Sequence, residues 1–167
     1  MKRNKFKLHQ SILHALESVK IAAFESAQTA HNNATHTENI ADNKYGTLAL
    51  EEAYLAFGQT QRVIECDENI ETFKALKVID FAQDDEIKLG ALICVETNNS
   101  IPHAYYFLSP CSGGVKFMFD GLDITLITPT APLGKLLLGK QADDEIVLNV
   151  VSALNTGEQV MTVLQVK

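Results

Sequence analysis

The sequence predicts an α+β protein: an N-terminal antiparallel helical hairpin over residues 1–76, then a bent antiparallel sheet with one short helix over 77–167. Three observations carry this expectation. Residues 5–76 contain no proline and are rich in Ala, Leu, Glu, Gln and Lys, all good helix formers. Near residue 77 the apolar period changes from three-and-four to two, the spacing of strands. Between two strand-like runs lies TPTAPLGKLLLGKQADDEI (128–146), which combines a helix-starting proline with a helix-stopping glycine. A length of 167 residues allows one ordinary domain or two small ones, and 46% hydrophobic residues suffice for a packed core.

The first helix follows from an apolar stripe. From Phe6, steps of three and four reach Leu13, Leu16, Lys20, Ala23, Ala27 and Ala30, with Ile12 and Val19 flanking. So narrow a seam fits packing against a single partner helix. The basic start MKRNKFKL is read as a solvated helix end, since no long apolar run follows it. Around HNNATHTEN (31–39) the pattern dissolves into Asn and Thr, which favour turns, so the tip of the hairpin is placed near 31–43. Periodicity resumes near Tyr45. Ala49, Ala56, Val63 and Ile70 lie seven apart, with Leu48, Leu55, Cys66 and Phe73 beside them. Gly58 inside this helix is read as a point of close helix approach. Each arm of roughly 28 residues reaches about 42 Å at about 1.5 Å per residue. A fragment of a three-helix bundle or a dimerising coiled coil would share this seam.

Strands are expected at ALICVET (91–97), HAYYFLS (103–109), KFMFD (116–120), DITLIT (123–128), EIVLNVV (145–151) and QVMTVLQV (159–166). Gly121-Leu122 separates the third from the fourth, and a loop with Asn155-Thr156-Gly157 joins the last two. In the segment between Thr128 and Glu145, Pro132 suits a first helical turn, Thr130 offers a capping hydroxyl and Gly139 suits the stop. Leu133, Leu136 and Leu137 share one face of that short helix.

Charge and cysteines bound the function. Eight basic and ten acidic residues lie in 1–76, and six and eleven in 77–167, for a net charge of −7. Such a surface repels phosphate backbones, so no direct specific nucleic-acid binding is expected, and a partner with a basic surface suits it better. No apolar run is long enough to span a bilayer, so no membrane role is expected. Three widely spaced cysteines without a CxxC point to free thiols in a reducing cytoplasm. His31 and His36 are read as polar tip residues, because a zinc site needs more ligands than lie nearby. Neither GxxxxGK[ST] nor GxGxxG occurs, so no phosphate cradle is expected.

The segment TPTAPLGKLLLGKQADDEIVL resembles the (S/T)P-x-(S/A)PLG-x-x-LLGK-x-x-x-D-E-V stretch of the bacterial Gre transcript-cleavage factors and their relatives. Pro129, Pro132, Leu133, Gly134, Leu137, Leu138, Gly139, Lys140, Asp144 and Glu145 fall in register without gaps. Of these, Pro129, Pro132, Leu133, Gly134, Gly139 and Lys140 form the signature of the polymerase-docking domain. The resemblance covers residues 77–167 and implies an FKBP-like fold there, preceded by a coiled coil. It implies a bacterial transcription elongation factor whose partner is RNA polymerase. The globular domain docks beside the secondary channel and the coiled-coil tip enters it. Such a factor has no catalysis or cofactor of its own; at most it stimulates the polymerase's RNA hydrolysis by helping hold a shared Mg²⁺ with tip carboxylates.

In cleavage-competent relatives the tip reads D-L-x-E-N-A-E-Y. Here the matching string is Thr35-His36-Thr37-Glu38-Asn39-Ile40-Ala41-Asp42. Glu38 and Asn39 match, whereas Thr35 stands at the first acidic position. Glu38 and Asp42 are therefore the candidate metal-facing carboxylates, four residues apart as on one helix face. With one acid replaced, a channel binder without cleavage activity (an inhibitor or modulator) is the alternative. A further one is an interaction protein that kept the fold and lost polymerase binding.

Overall fold

A computed structural model describes residues 2–35, 46–82, 84–97, 103–151 and 156–167. Its elements are α1 (Lys2–Thr35), α2 (Gly46–Lys74), β1 (Leu92–Thr97), β2 (His103–Leu108), β3 (Lys116–Phe119), β4 (Leu122–Ile127), α3 (Pro132–Leu137), β5 (Glu145–Val151) and β6 (Thr156–Val166). This is the α+β order read from the sequence. The chain divides into two compact units, Leu16–Glu71 and Met1–Ala15 with Thr72–Lys167.

In the unit Leu16–Glu71 the two helices run antiparallel. Lys20 Nζ lies 2.5 Å from the Asp67 carboxylate. Farther along α1, Phe24, Gln28 and His31 face Thr60 and Ile64 of α2 across a shallow groove. On α1 the buried positions Leu16, Ala23 and Ala30 are seven apart. On α2, Ala56, Val63, Cys66 and Ile70 point inward at steps of three, four and seven. The seam is thus the heptad stripe that supports a two-helix coiled coil. Two expectations change. Leu55 is exposed rather than beside the seam. Gly58 faces open space, so it does not serve close helix approach.

The other unit is a six-stranded sheet in the order β3-β4-β2-β1-β6-β5. Its pairings are antiparallel except one: β4 runs parallel to β2, with Tyr105 beside Ile124 and Phe107 beside Leu126. The sheet is therefore mixed, not wholly antiparallel as expected. A parallel neighbour needs a connection of about a dozen residues, and residues 109–121, which carry β3, supply it. The β3–β4 turn is Asp120-Gly121, with φ of 49° and 78°. Positive φ at both central residues is what a type I′ hairpin demands, so the turn sits one residue before the Gly121-Leu122 expected. Of the loop expected at Asn155-Thr156-Gly157, Asn155 lies outside the described residues, and Thr156 and Gly157 belong to β6. A β-bulge interrupts β1–β6 between Cys94 and Val95.

Both faces of the sheet are covered. Ile93, Val95, Leu108, Ile127, Ile146, Met161 and Val163 form a core with Ile87 and with Leu137 of α3. On the opposite face the first turns of α1 and the end of α2 pack on Phe107. The His9 ring stands 5.1 Å from Phe73 and 5.8 Å from Phe107, and the two phenyl rings are 6.0 Å apart. This packing corrects the start of α1. Lys5, Leu8, His9 and Ile12 are buried, while Phe6 is 57% exposed. Within the basic start, Lys5 and Leu8 are thus buried in the sheet unit rather than solvated, while Asn4, Phe6 and Lys7 are exposed.

Candidate functional site

The segment 128–146 is built around a corner. After β4 the chain turns at Thr128–Thr130, where the Ala131 amide bonds the Thr128 carbonyl at 3.0 Å. Pro132 opens α3, as its fixed φ and missing N–H favour. The cap position is Ala131, which gives no side-chain cap, and the Thr130 hydroxyl bonds Thr128 Oγ1 at 3.0 Å instead. Thr130 is therefore not the helix cap expected from the sequence. Leu137 is fully buried, and Leu133 and Leu136 pack against the core half-buried. Leu138 points outward at 47% exposure.

Two glycines of the signature are required by geometry. A Cβ on Gly134 would lie 1.9 Å from the Thr128 carbonyl oxygen, which no side chain can do. Gly139 ends the helix at φ 77°, where a glycine avoids the Cβ penalty. Its amide donates to the Ile87 carbonyl at 2.9 Å, and the Ile87 amide donates to the Lys140 carbonyl at 2.8 Å. The backbone of Gly139-Lys140 thereby latches the loop at Ile87. The acids that follow serve the next turn. Asp144 Oδ2 accepts the Gln141 amide at 2.9 Å, and the Asp143 amide donates to Val163. They form the turn into β5.

Of the candidate site residues, Pro129, Pro132, Leu133, Gly134, Gly139 and Lys140 fall within this one corner. Glu38 and Asp42 lie outside the described residues, and the backbone of Thr35 is the last turn of α1. Among the described residues, no group of three or more His, Cys, Asp or Glu side chains could hold a metal ion. No helix among them is long and apolar enough to cross a membrane. Cys66, Cys94 and Cys111 form no disulfide, and burial pushes the Cys94 and Cys111 thiols up, away from the reactive thiolate.

Sequence reasoning missed a polar pair on the opposite face. Lys5 and His9, one helical turn apart, are both buried. Desolvation lowers the Lys5 ammonium to about 8, against a raising influence of Asp80. Desolvation and the neighbouring Lys5 charge lower the His9 imidazole. His9 Nε2 has no hydrogen-bond partner among the described residues. The available signal was the spacing Lys5, Leu8, His9, Ile12 and Leu16, whose polar members hide the stripe.

No family model matches the chain, and no curated protein matches it. Several solved structures are similar at low identity. GreA factor homolog 1 (Gfh1) of Thermus thermophilus is 16% identical with a TM-score of 0.36, over 97% of this chain and 94% of that one. Gfh1 of Thermus aquaticus is 17% identical with a TM-score of 0.37, over 90% of each chain. A GreA/GreB transcription elongation factor from Nitrosomonas europaea is 18% identical with a TM-score of 0.38, over 69% of this chain and 89% of its own.

Proposed function

We propose that this chain binds bacterial RNA polymerase and regulates transcription. In this reading the sheet unit docks beside the secondary channel and the hairpin tip enters it. The observation that carries the reading is the gapless Gre-type segment at 128–146, from Pro129 to Glu145. The hairpin supports it: α2 has 29 residues, a length of about 43 Å at about 1.5 Å per residue. Capture of core polymerase by the full-length chain at micromolar concentration is the direct test. A failure to capture it sinks the proposal.

Thr35 favours a channel binder that does not promote cleavage. Mg²⁺ prefers hard, charged oxygen ligands, and a neutral hydroxyl at the first acidic position removes one of them. With Glu38 the one matching carboxylate and Asp42 the only acid near enough in sequence to compensate, the chain modulates the polymerase by occupying the channel. Backtracked complexes incubated with the protein and Mg²⁺ should keep their RNA length. Shortening that disappears in Glu38→Ala would establish the opposite reading, cleavage stimulated through the remaining carboxylates.

A further inference from the structure

The sheet ends in two edges, β3 and β5, and an edge strand offers its open N–H and C=O groups to any strand that can lie beside it. β3 is blunted, because it has four residues and begins with Lys116. β5 is not. Its seven residues, EIVLNVV, include no Lys and no Pro, and its pairing with β6 runs from Glu145 with Thr162 to Val151 with Thr156 without a register shift. Among the described residues β6 is its only paired strand. The Asp144 carbonyl accepts from the Val163 amide of β6 at 2.9 Å. Alternation along the strand then turns the backbone N–H and C=O of Glu145, Val147 and Asn149 to the open edge. The side chains alternate as well. Ile146 is buried and Leu148 half-buried against the core, while Glu145, Val147 and Asn149 are exposed. Val147 is 44% exposed and lies beside Val160 at 37%, so the open edge carries an apolar pair.

We propose that this edge pairs antiparallel with β5 of a second copy of the chain, joining two six-stranded sheets across a two-fold axis at Val147. The strand's own sequence selects a second copy as the occupant. In an antiparallel pair centred on Val147, that residue meets its own equivalent, Glu145 meets Asn149 and Ile146 meets Leu148. No carboxylate opposes a carboxylate. Glu145, the one charge on the strand, faces an amide that can donate to it. The residues with open backbone groups fall opposite one another, as a hydrogen-bonded antiparallel ladder requires. Each donates its N–H and accepts on its C=O across the axis. On the exposed face the Val147–Val160 pairs of the two copies merge into one apolar cluster. On the other face Ile146 and Leu148 extend each core toward its neighbour. A strand of different sequence would have to reproduce this pattern, whereas β5 already carries it. The inference goes beyond polymerase binding and is scored with no polymerase present.

The test is the oligomeric state of the full-length chain. Sedimentation equilibrium should resolve monomer and dimer with a dissociation constant on the order of 10 µM to 1 mM, as suits a small interface. Val147→Pro removes an N–H that β6 does not use, so the fold should stay intact while the dimer is lost. If that variant fails to fold, Val147→Lys, which sets like charges against each other at the axis, should abolish the dimer instead. The register has its own readout. Asn149→Lys should tighten the dimer and Asn149→Asp should weaken it, each by about two- to thirty-fold, through the contacts with Glu145. A chain that stays monomeric at about 1 mM leaves the edge to a strand of another protein and overturns the proposal. So does a dimer untouched by Val147→Pro and Val147→Lys, or one that the two Asn149 variants shift alike.

Discussion

At Gly134 a single hydrogen decides whether the corner closes. The space a Cβ would need is held by the Thr128 carbonyl, a backbone atom that cannot rotate away. Gly134→Ala should therefore cost at least about 1–3 kcal/mol, the usual range for overpacking. Gly139→Ala meets open space and suffers only from its positive φ, so it should cost about 1 kcal/mol. Chemical denaturation of the two variants checks the ranking, and equal losses would mean the corner relaxes. Lys5 and His9 give the same scale a pH dependence. The Lys5 pKa falls from 10.5 unfolded to about 8 folded, so the unfolded chain binds more protons between those values and stability rises across that window. Wild-type stability relative to Lys5→Met should rise from pH 8 to 10.5, and a constant difference would mean an unshifted amine. His9 is also lowered, so stability should fall as pH drops below 6.5, and His9→Leu should flatten that loss.

At the scale of elements, α3 separates a buried face from an exposed one within two adjacent leucines. Leu137→Ala removes a fully buried side chain and should cost about 2–5 kcal/mol. Leu138→Ala, on the exposed side, should stay within about 0.5 kcal/mol. Unfolding midpoints that move alike would mean the face is misassigned. The strands and α3 were legible in the sequence because a period of two, Pro132 and Gly139 are local signals. The phase of α1 was legible from Leu16 onward and wrong before it. There the seam passes through Lys5 and His9, and Phe6 offered a more apolar but exposed alternative. The parallel β2–β4 pairing was not legible, since strand order depends on how residues 109–121 cross over and not on any one strand's pattern. The corner could be read residue by residue, whereas the buried Lys5–His9 pair could not, because Phe73 and Phe107, on which His9 packs, are distant in sequence.

For the whole molecule, the two units differ in how much apolar surface they bury. The unit Leu16–Glu71 is sealed mainly by alanines with Leu16 and Ile70, while the sheet unit holds Phe107, Ile93, Leu108, Ile124 and Leu126 at full burial. Local opening should follow that difference. Backbone amides of 50–66 should exchange with deuterium well before those of 92–97 and 161–166, and uniform protection would indicate one cooperative unit. An acidic chain meeting a basic partner is steered by long-range attraction. On the proposed function, its association rate with polymerase should therefore fall as salt is raised from about 0.05 to 0.5 M, where the screening length shrinks below about 10 Å; an unchanged rate would remove charge from the encounter.

The Gly134–Thr128 approach bears on ancestry. A corner with no room for a Cβ keeps its glycine for as long as the chain folds this way, whatever the hairpin tip does. A substitution elsewhere in the chain leaves that demand on Gly134 untouched.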